Sequence, residues 1–249
     1  MAKVKGIVEL NGTIGALNFY TRKGVAVVRA AGGGFNGTAI KNKPSMLRVR
    51  ENGSEFGGCM QDVKLFKQGL SSYLCLFNDG MLHQRLVSLF TKLKDFDLSS
   101  ERGKRCVRIG LKNEQGKSIL QHYIISSGGN LRDLLKQPYT FDWVSGLTLV
   151  NFNGGFLPFT SGATHLELGL GCLVVNFEAK TFSFSKSEFV YLDAYSTGTV
   201  AVPVPSVAID AGVQVGVVFC RFVQKINGVY YPLKTDNGLV LEVIGVLDL

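Results

Sequence analysis

Histidine and serine, the side chains that most often carry catalysis, form no recognisable pattern in this chain. His83, His122 and His165 have no second histidine, cysteine or carboxylate at the spacing of a metal site. No Gly-x-Ser-x-Gly turn occurs, and nothing orders a Ser/His/Asp set. We therefore expect no catalytic residue, cofactor or metal, and predict that the protein is not an enzyme. A pair of carboxylates meeting from distant strands, as in glycoside hydrolysis, stays open.

The cysteines predict thiols and no disulfide framework. They are five in number and never spaced as Cys-x-x-Cys: Cys59, Cys75, Cys106, Cys172 and Cys220. Cys172 and Cys220 lie in apolar runs, where a free cysteine is usually a small buried side chain. The N-terminus lacks the apolar core of a signal peptide, and no apolar run of about 18 residues predicts a membrane span. We expect synthesis and folding in the cytoplasm.

Charge is divided unequally along the chain. Residues 1–136 contain 22 Lys/Arg and ten Asp/Glu, whereas residues 137–249 contain five and nine, which gives the net +8. A basic half can meet nucleic acid or an anionic membrane surface. It can equally meet the acidic half of another copy, which gives head-to-tail assembly. A solvated basic face that only keeps the protein soluble is the third alternative.

A basic cluster near the N-terminus is the main candidate site. It is predicted to contact nucleic acid or a neighbouring subunit and consists of Arg22, Lys23, Arg29, Lys41, Lys43, Arg48 and Arg50. Phe19, Tyr20 and Phe35 lie near it in sequence and could stack on bases. The known signatures of nucleic-acid-binding folds are missing, and basic arms also mediate subunit docking, so both partners stay open.

The elements that would position this cluster begin with a β-meander arm and a linker, residues 1–44. Turn signals at Asn11-Gly12 and Lys23-Gly24 separate three short β-prone runs, the first over residues 4–10. Three such strands bury little alone and need another surface. The glycine-rich stretch 32–37 lacks the Gly-Lys-Ser/Thr ending of a phosphate-binding loop, so we expect a flexible basic linker.

Residues 45–98 predict a helical hairpin. Apolar residues recur at spacings of three, four or seven from Met46 to Phe77, and Asn78-Asp79-Gly80 breaks the pattern. A second amphipathic helix is predicted over residues 81–96.

Residues 99–249 predict an antiparallel β-sandwich or jelly-roll-like domain. About ten short β-prone runs are separated by Gly, Pro, Ser and Asn clusters. The runs are 107–109, 119–125, 147–150, 164–168, 173–177, 181–184, 200–204, 213–223, 229–233 and 240–246. The fold class is therefore α+β, mainly β.

A hairpin through Asn227-Gly228 gives a second candidate contact. Pro232 suits an edge strand, so Tyr230, Tyr231 and Pro232 are predicted to receive a strand or surface from another subunit. An ordinary covered edge is the alternative.

Three stretches together resemble a family of uncharacterised proteins from Bacteroidota and their mobile elements. They are Lys5-Gly6 through Gly12-Thr13-Ile14-Gly15 to Phe19-Tyr20, residues 48–57 (RVRENGSEFG), and Gly162-Ala163-Thr164-His165 with the hairpin 227–234 (NGVYYPLK). The resemblance covers most of the chain. It implies a bacterial or phage origin and one shared architecture, but no activity.

These features favour a structural, self-assembling protein, such as the capsid, tail or filament subunit of a phage or phage-like particle. In that case the protein is found in the virion, and its main partner is another copy of itself. The alternatives are a nucleic-acid-binding protein without sequence specificity, which does not assemble, and a carbohydrate-binding β-sandwich.

Overall fold

The computed structural model describes residues 2–3, 10–32, 36–207, 211–233 and 238–248. The chain forms two compact units, residues 1–50 and 51–249. The predicted helical segment and the predicted sandwich both contribute to the second unit. Among the described residues, no helix is long and apolar enough to cross a membrane.

The first unit contains a small antiparallel sheet in the order β1-β4-β3-β2. Its strands are β1 (Ala2–Lys3), β2 (Gly12–Ile14), β3 (Leu17–Arg22) and β4 (Val25–Ala30). Lys23 and Gly24 both have positive φ, 51° and 73°, which the tight turn between β3 and β4 requires. The predicted meander is confirmed, and residues 4–9 of its first predicted strand lie outside the described residues. The predicted turn at Asn11-Gly12 is wrong, because Gly12 belongs to β2 and the turn before β3 lies at Gly15-Ala16.

The predicted linker is partly helical, which corrects the expectation of a flexible segment. Helix α1 (Gly37–Asn42) begins after Asn36, whose side chain accepts a hydrogen bond from the Thr38 amide at 2.8 Å. A 3-10 turn follows over Pro44–Met46. Gly33, Gly34 and Phe35 of the predicted linker lie outside the described residues.

The predicted helices of residues 45–98 are present. They are α2 (Leu47–Gly69), a short α3 (Ser71–Leu74) and α4 (Leu82–Asp95). α2 ends at Gly69, where a Cβ atom would lie 2.4 Å from a methyl carbon of Leu173. A larger residue at this position would therefore displace the buried side chain of Leu173.

Two predicted strands are wrong. Residues 107–109 belong to helix α5 (Val107–Gly110). Of the run 119–125, the first two residues end helix α6 (Glu114–Leu120), and the others follow it. Asn113 caps α6 by accepting a hydrogen bond from the Gln115 amide at 2.9 Å. Short apolar runs do not distinguish a strand from a buried helix, and the Asn113 cap favours the helix in the case of α6. A third short helix is α7 (Leu131–Leu135).

A 3-10 turn covers Gly154–Phe156, and the remaining elements are strands, which are antiparallel wherever they pair. They are β5 (Tyr139–Asp142), β6 (Gly146–Asn153), β7 (His165–Asn176), β8 (Thr181–Lys186), β9 (Val190–Asp193), β10 (Thr197–Val202), β11 (Val213–Ile226), β12 (Val229–Pro232) and β13 (Val240–Asp248). The long strands β7 and β11 pair at the centre of a six-stranded sheet. β8 and β9 lie along the other side of β7, and β12 and β13 along the other side of β11. A second sheet has the order β10-β6-β5.

The six-stranded sheet is covered on both faces. On one face Leu173 and Val217 share a core with helix residues such as Phe90. On the other face Leu168 and Phe222 share a core with β6 and β10. The second unit is therefore layered as helices, large sheet and small sheet. This confirms the α+β, mainly β, prediction.

Candidate assembly surfaces

The small sheet of the first unit separates apolar from polar side chains. Directly paired residues of antiparallel strands share a face, and successive residues alternate. The strand register therefore assigns one face, the apolar face, to Ile14, Leu17, Phe19, Thr21, Ala26, Val28 and Ala30. All of these except Thr21 are apolar. The opposite face, the basic face, carries Thr13, Asn18, Tyr20, Arg22, Val25, Val27 and Arg29.

The described residues cover the apolar face only in part, since Phe19, Ala26 and Val28 are half-buried. None of the described residues between 10 and 50 is buried. Ile14 is 59% exposed and Leu17 is 46% exposed. A small sheet gains its stability from burying one hydrophobic face, so this face lacks the packing that such an element normally has. The sequence signal for this surface is the alternation of apolar and polar residues along the β2–β3 and β3–β4 hairpins. The sequence prediction stated that these strands need another surface but assigned the contact to the charged residues.

The predicted basic residues fall into local groups. Arg22 and Lys23 lie at the β3–β4 turn, and Arg29 lies on β4 with its guanidinium 5.9 Å from the Tyr20 ring centroid. Tyr20 therefore contacts a cation within its own sheet.

The other predicted basic residues lie on or after α1. Arg50 donates from Nη1 to the carbonyl oxygens of Ile40 at 2.6 Å and Lys43 at 3.0 Å, so it closes the C-terminal end of α1. Lys41, Lys43 and Arg48 are exposed. Residues 10–50 contain these seven Lys/Arg and no Asp or Glu, so the local field is positive.

The β11–β12 hairpin forms as predicted. Asn227 and Gly228 have φ of 51° and 83°, and Ile226 pairs with Val229 across the two-residue turn. Lys234, at the end of the predicted hairpin, lies outside the described residues. β12 is an edge strand with β11 as its partner among the described residues.

The outer edge of β12 is poorly suited to strand addition. Hydrogen-bonded pairs alternate along an antiparallel hairpin. Since the Leu233 amide donates to Phe222, the main-chain groups of Tyr230 and Pro232 point away from β11. Proline has no N–H, so Tyr230 offers the outward-pointing donor of this strand. The prediction that Tyr230, Tyr231 and Pro232 contact a subunit stays a prediction.

The face of this hairpin carries a second exposed apolar surface, which we call the hairpin patch. It consists of Ile226, Val229 and Tyr231, which the register places on one face and which are 46%, 52% and 51% exposed. The same chain therefore carries two exposed apolar surfaces, the apolar face and the hairpin patch.

Tyr230 points to the opposite side and is already packed. Its ring stacks on Tyr191 of β9, with ring centroids 3.7 Å apart, although β7 and β11 lie between their strands. Three interstrand gaps span roughly 14 Å, so the sheet must curl for the rings to meet. Below them Arg221 pairs with the buried carboxylate of Glu167, and the Tyr191 hydroxyl donates to Glu167 at 3.0 Å. Burial raises the pKa of Tyr191 to about 12.

A second buried carboxylate, on α2, has structural partners. Glu55 of α2 accepts from Lys94 and Arg105 at 2.8 Å and from the Gly103 amide at 2.7 Å. The Arg105 guanidinium is the main reason that the pKa of Glu55 falls to about 2. These contacts join α2, α4 and the loop before α5. Within the described part of the chain, no group of three His, Cys, Asp or Glu side chains could hold a metal ion.

No protein-family model, curated protein or solved structure matches this chain. Its function therefore has to be inferred from its own residues.

Proposed function

We propose that this chain is a structural protein that assembles head to tail, with the apolar face of one copy docked on the hairpin patch of the next. The exposed apolar face carries the proposal. A contiguous apolar patch on an exposed sheet typically marks a protein interface, because burying it removes apolar area from water.

A second copy is the proposed occupant because the chain offers both halves of the contact. The apolar face and the hairpin patch lie in different units, so a contact between them joins different surfaces of two copies. Such a heterologous contact repeats, and it closes into a ring or extends as a filament. The charges also favour a head-to-tail contact. All charged residues between 10 and 50 are basic, whereas residues 137–249 carry a net negative charge, so the two surfaces attract each other.

We place this assembly in a phage or phage-like particle, as a capsid, tail or filament subunit, on the family resemblance of the sequence. The direct test is the size of the purified full-length protein at rising concentration. Sedimentation velocity and negative-stain microscopy should show rings or filaments. A monomer at all concentrations, at both low and moderate salt, would refute assembly.

Nucleic-acid binding is the second candidate, favoured by the basic face. Arg22, Lys23 and Arg29 lie on β3, on β4 and at the turn between them. No Asp or Glu occurs between residues 10 and 50 to offset their charge. Phosphate contacts release counterions, so affinity should fall steeply with salt.

Gel shifts with a duplex of arbitrary sequence test this candidate. Changing Arg22, Lys23 and Arg29 to Gln should weaken binding and lower the salt slope by up to about three, roughly one per lost phosphate contact. The matched control changes Lys64, Lys92 and Lys186 of the second unit to Gln, which removes the same charge. Equal loss in both triple variants, or binding that salt does not affect, would contradict a site on the basic face.

A further inference from the structure

A cleft of about 540 Å³ lies beside the outer edge of β13, and its lining shares no residue with the surfaces described above. Its lining includes His122, Asn130, Arg132, Asp133, Tyr139 and Glu242. These residues come from the segment after α6, from α7, from β5 and from β13. The volume falls within the usual range for small-molecule sites, about 300 to 1,000 Å³.

The segment after α6 forms one wall of the cleft by pairing with β13. The His122 amide donates to Val243 at 2.6 Å, and the Ile125 amide donates to Leu241 at 2.8 Å. Arg85 fixes the same segment by donating to the carbonyl oxygens of Ile124 at 3.1 Å and Ile125 at 2.6 Å. His122 adopts φ of +66°, a conformation that residues other than glycine rarely adopt. Such backbone strain concentrates at functional sites.

Glu242 is the central group of the cleft and is incompletely satisfied. The residue is only 4% exposed, and one carboxylate oxygen accepts from the Leu131 amide at 2.8 Å. The other oxygen has no hydrogen-bond partner among the described residues and is not sealed from solvent. The Tyr139 hydroxyl also has no hydrogen-bond partner among the described residues, and burial, with a smaller contribution from the charge of Glu242, raises the pKa of Tyr139. Because the free Glu242 oxygen is open to the cleft, a ligand hydroxyl that enters the cleft can donate to it in place of water.

The chemistry of the lining narrows the ligand class. Glu242 and Asp133 offer acceptors when ionised, Arg132 offers only donors, and Tyr139 and Asn130 offer both. A hydroxyl group both donates and accepts, so a ligand with several adjacent hydroxyls can satisfy this mixture at once. The carboxylates would attract a cation, but Arg132 would repel it. Arg132 would attract an anion, but the carboxylates would repel it.

We propose that this cleft binds a neutral polyhydroxylated ligand of the size of a mono- or disaccharide, held by Glu242 and Tyr139. The site is independent of the assembly surfaces, so either proposal can fail alone.

The test is saturation-transfer NMR on the full chain with a panel of free neutral monosaccharides and disaccharides, followed by titration of the best one. Glu242→Gln preserves the size of the side chain and an acceptor for the Leu131 amide, and Tyr139→Phe removes only the hydroxyl. Each should weaken binding about tenfold or more, since hydrogen bonds to charged or buried partners are lost. The matched control, Glu188→Gln, changes an exposed carboxylate of the same unit and should bind as the parent protein does.

Three results would overturn the proposal. The first is no saturation transfer to any sugar at millimolar concentration. The second is sugar binding that Glu242→Gln and Tyr139→Phe leave unchanged, because the sugar would then bind elsewhere. The third is binding of zwitterionic amino acids instead of sugars in a parallel panel, which would assign the cleft to a charged ligand.

Discussion

Replacing Ile14 and Leu17 together by threonine should weaken assembly strongly while leaving the second unit folded. Both residues lie on the apolar face, and threonine preserves the β propensity of the strands. Complete burial of such a side chain contributes about 1.5–3 kcal/mol, and these two residues are still 59% and 46% exposed. Covering the exposed half of each therefore contributes about 1 kcal/mol per residue. The pair contributes about 2 kcal/mol, which corresponds to roughly 30-fold in the dissociation constant of one contact.

Sedimentation velocity over a concentration series measures this change, and circular dichroism checks the fold. Val25→Thr is the matched control, because Val25 is 41% exposed but lies on the basic face of the same sheet. The double variant should assemble only at concentrations about 30-fold higher, and the control at those of the parent protein. Equal assembly by the double variant and the parent would refute the docking role of the apolar face. Equal loss in Val25→Thr would mean that general weakening of the sheet, and not the apolar contact, is responsible.

Two further predictions concern buried carboxylates. Glu55→Gln should destabilise the second unit by about 3 kcal/mol, because it leaves Lys94 and Arg105 without their shared partner, although Asp95 still pairs with both. Because the pKa of Glu55 is lowered from 4.5 to about 2, its stabilising contribution is complete above pH 4.5 and is lost as the pH falls towards 2. Urea unfolding at several pH values measures both effects, and Glu101→Gln, at an exposed pair, should change little. The pH dependence of the contribution of Glu242 to stability has the opposite sign. Burial raises the pKa of Glu242, so its ionisation at rising pH disfavours the folded state. Glu242→Gln should therefore be at least as stable as the parent protein at neutral pH. A large loss of stability in Glu242→Gln at pH 7, or no acid sensitivity linked to Glu55, would contradict these assignments.

Locally encoded features could be predicted from the sequence. The Lys23-Gly24 and Asn227-Gly228 turns both form, because their residues tolerate the positive φ that a two-residue turn requires. The α2 and α4 helices could be predicted because their apolar residues repeat at helical spacing over many residues, a pattern that a strand does not produce.

Features that depend on tertiary packing could not be predicted. The runs 164–168 and 173–177 fall almost entirely within the single strand β7, which pairs with β11 continuously from His165 to Val175. Gly169 and Gly171 in this strand make room for aromatic rings from Phe189, Tyr73 and Phe184. Likewise, nothing local indicates that Glu242 meets His122 and Tyr139, which lie more than 100 residues earlier in the chain. The cleft exists only once β13 pairs with the segment after α6.

Disulfide trapping between two copies tests the head-to-tail contact most directly. One variant carries Leu17→Cys and the other Tyr231→Cys, both in a Cys75→Ser background that removes the exposed native thiol. Mild oxidation of the mixture should give a cross-linked pair containing one chain of each variant, while Val25→Cys mixed with Tyr231→Cys should give little. Absence of the Leu17–Tyr231 cross-link, or equal yield from Val25, would contradict docking of the apolar face on the hairpin patch.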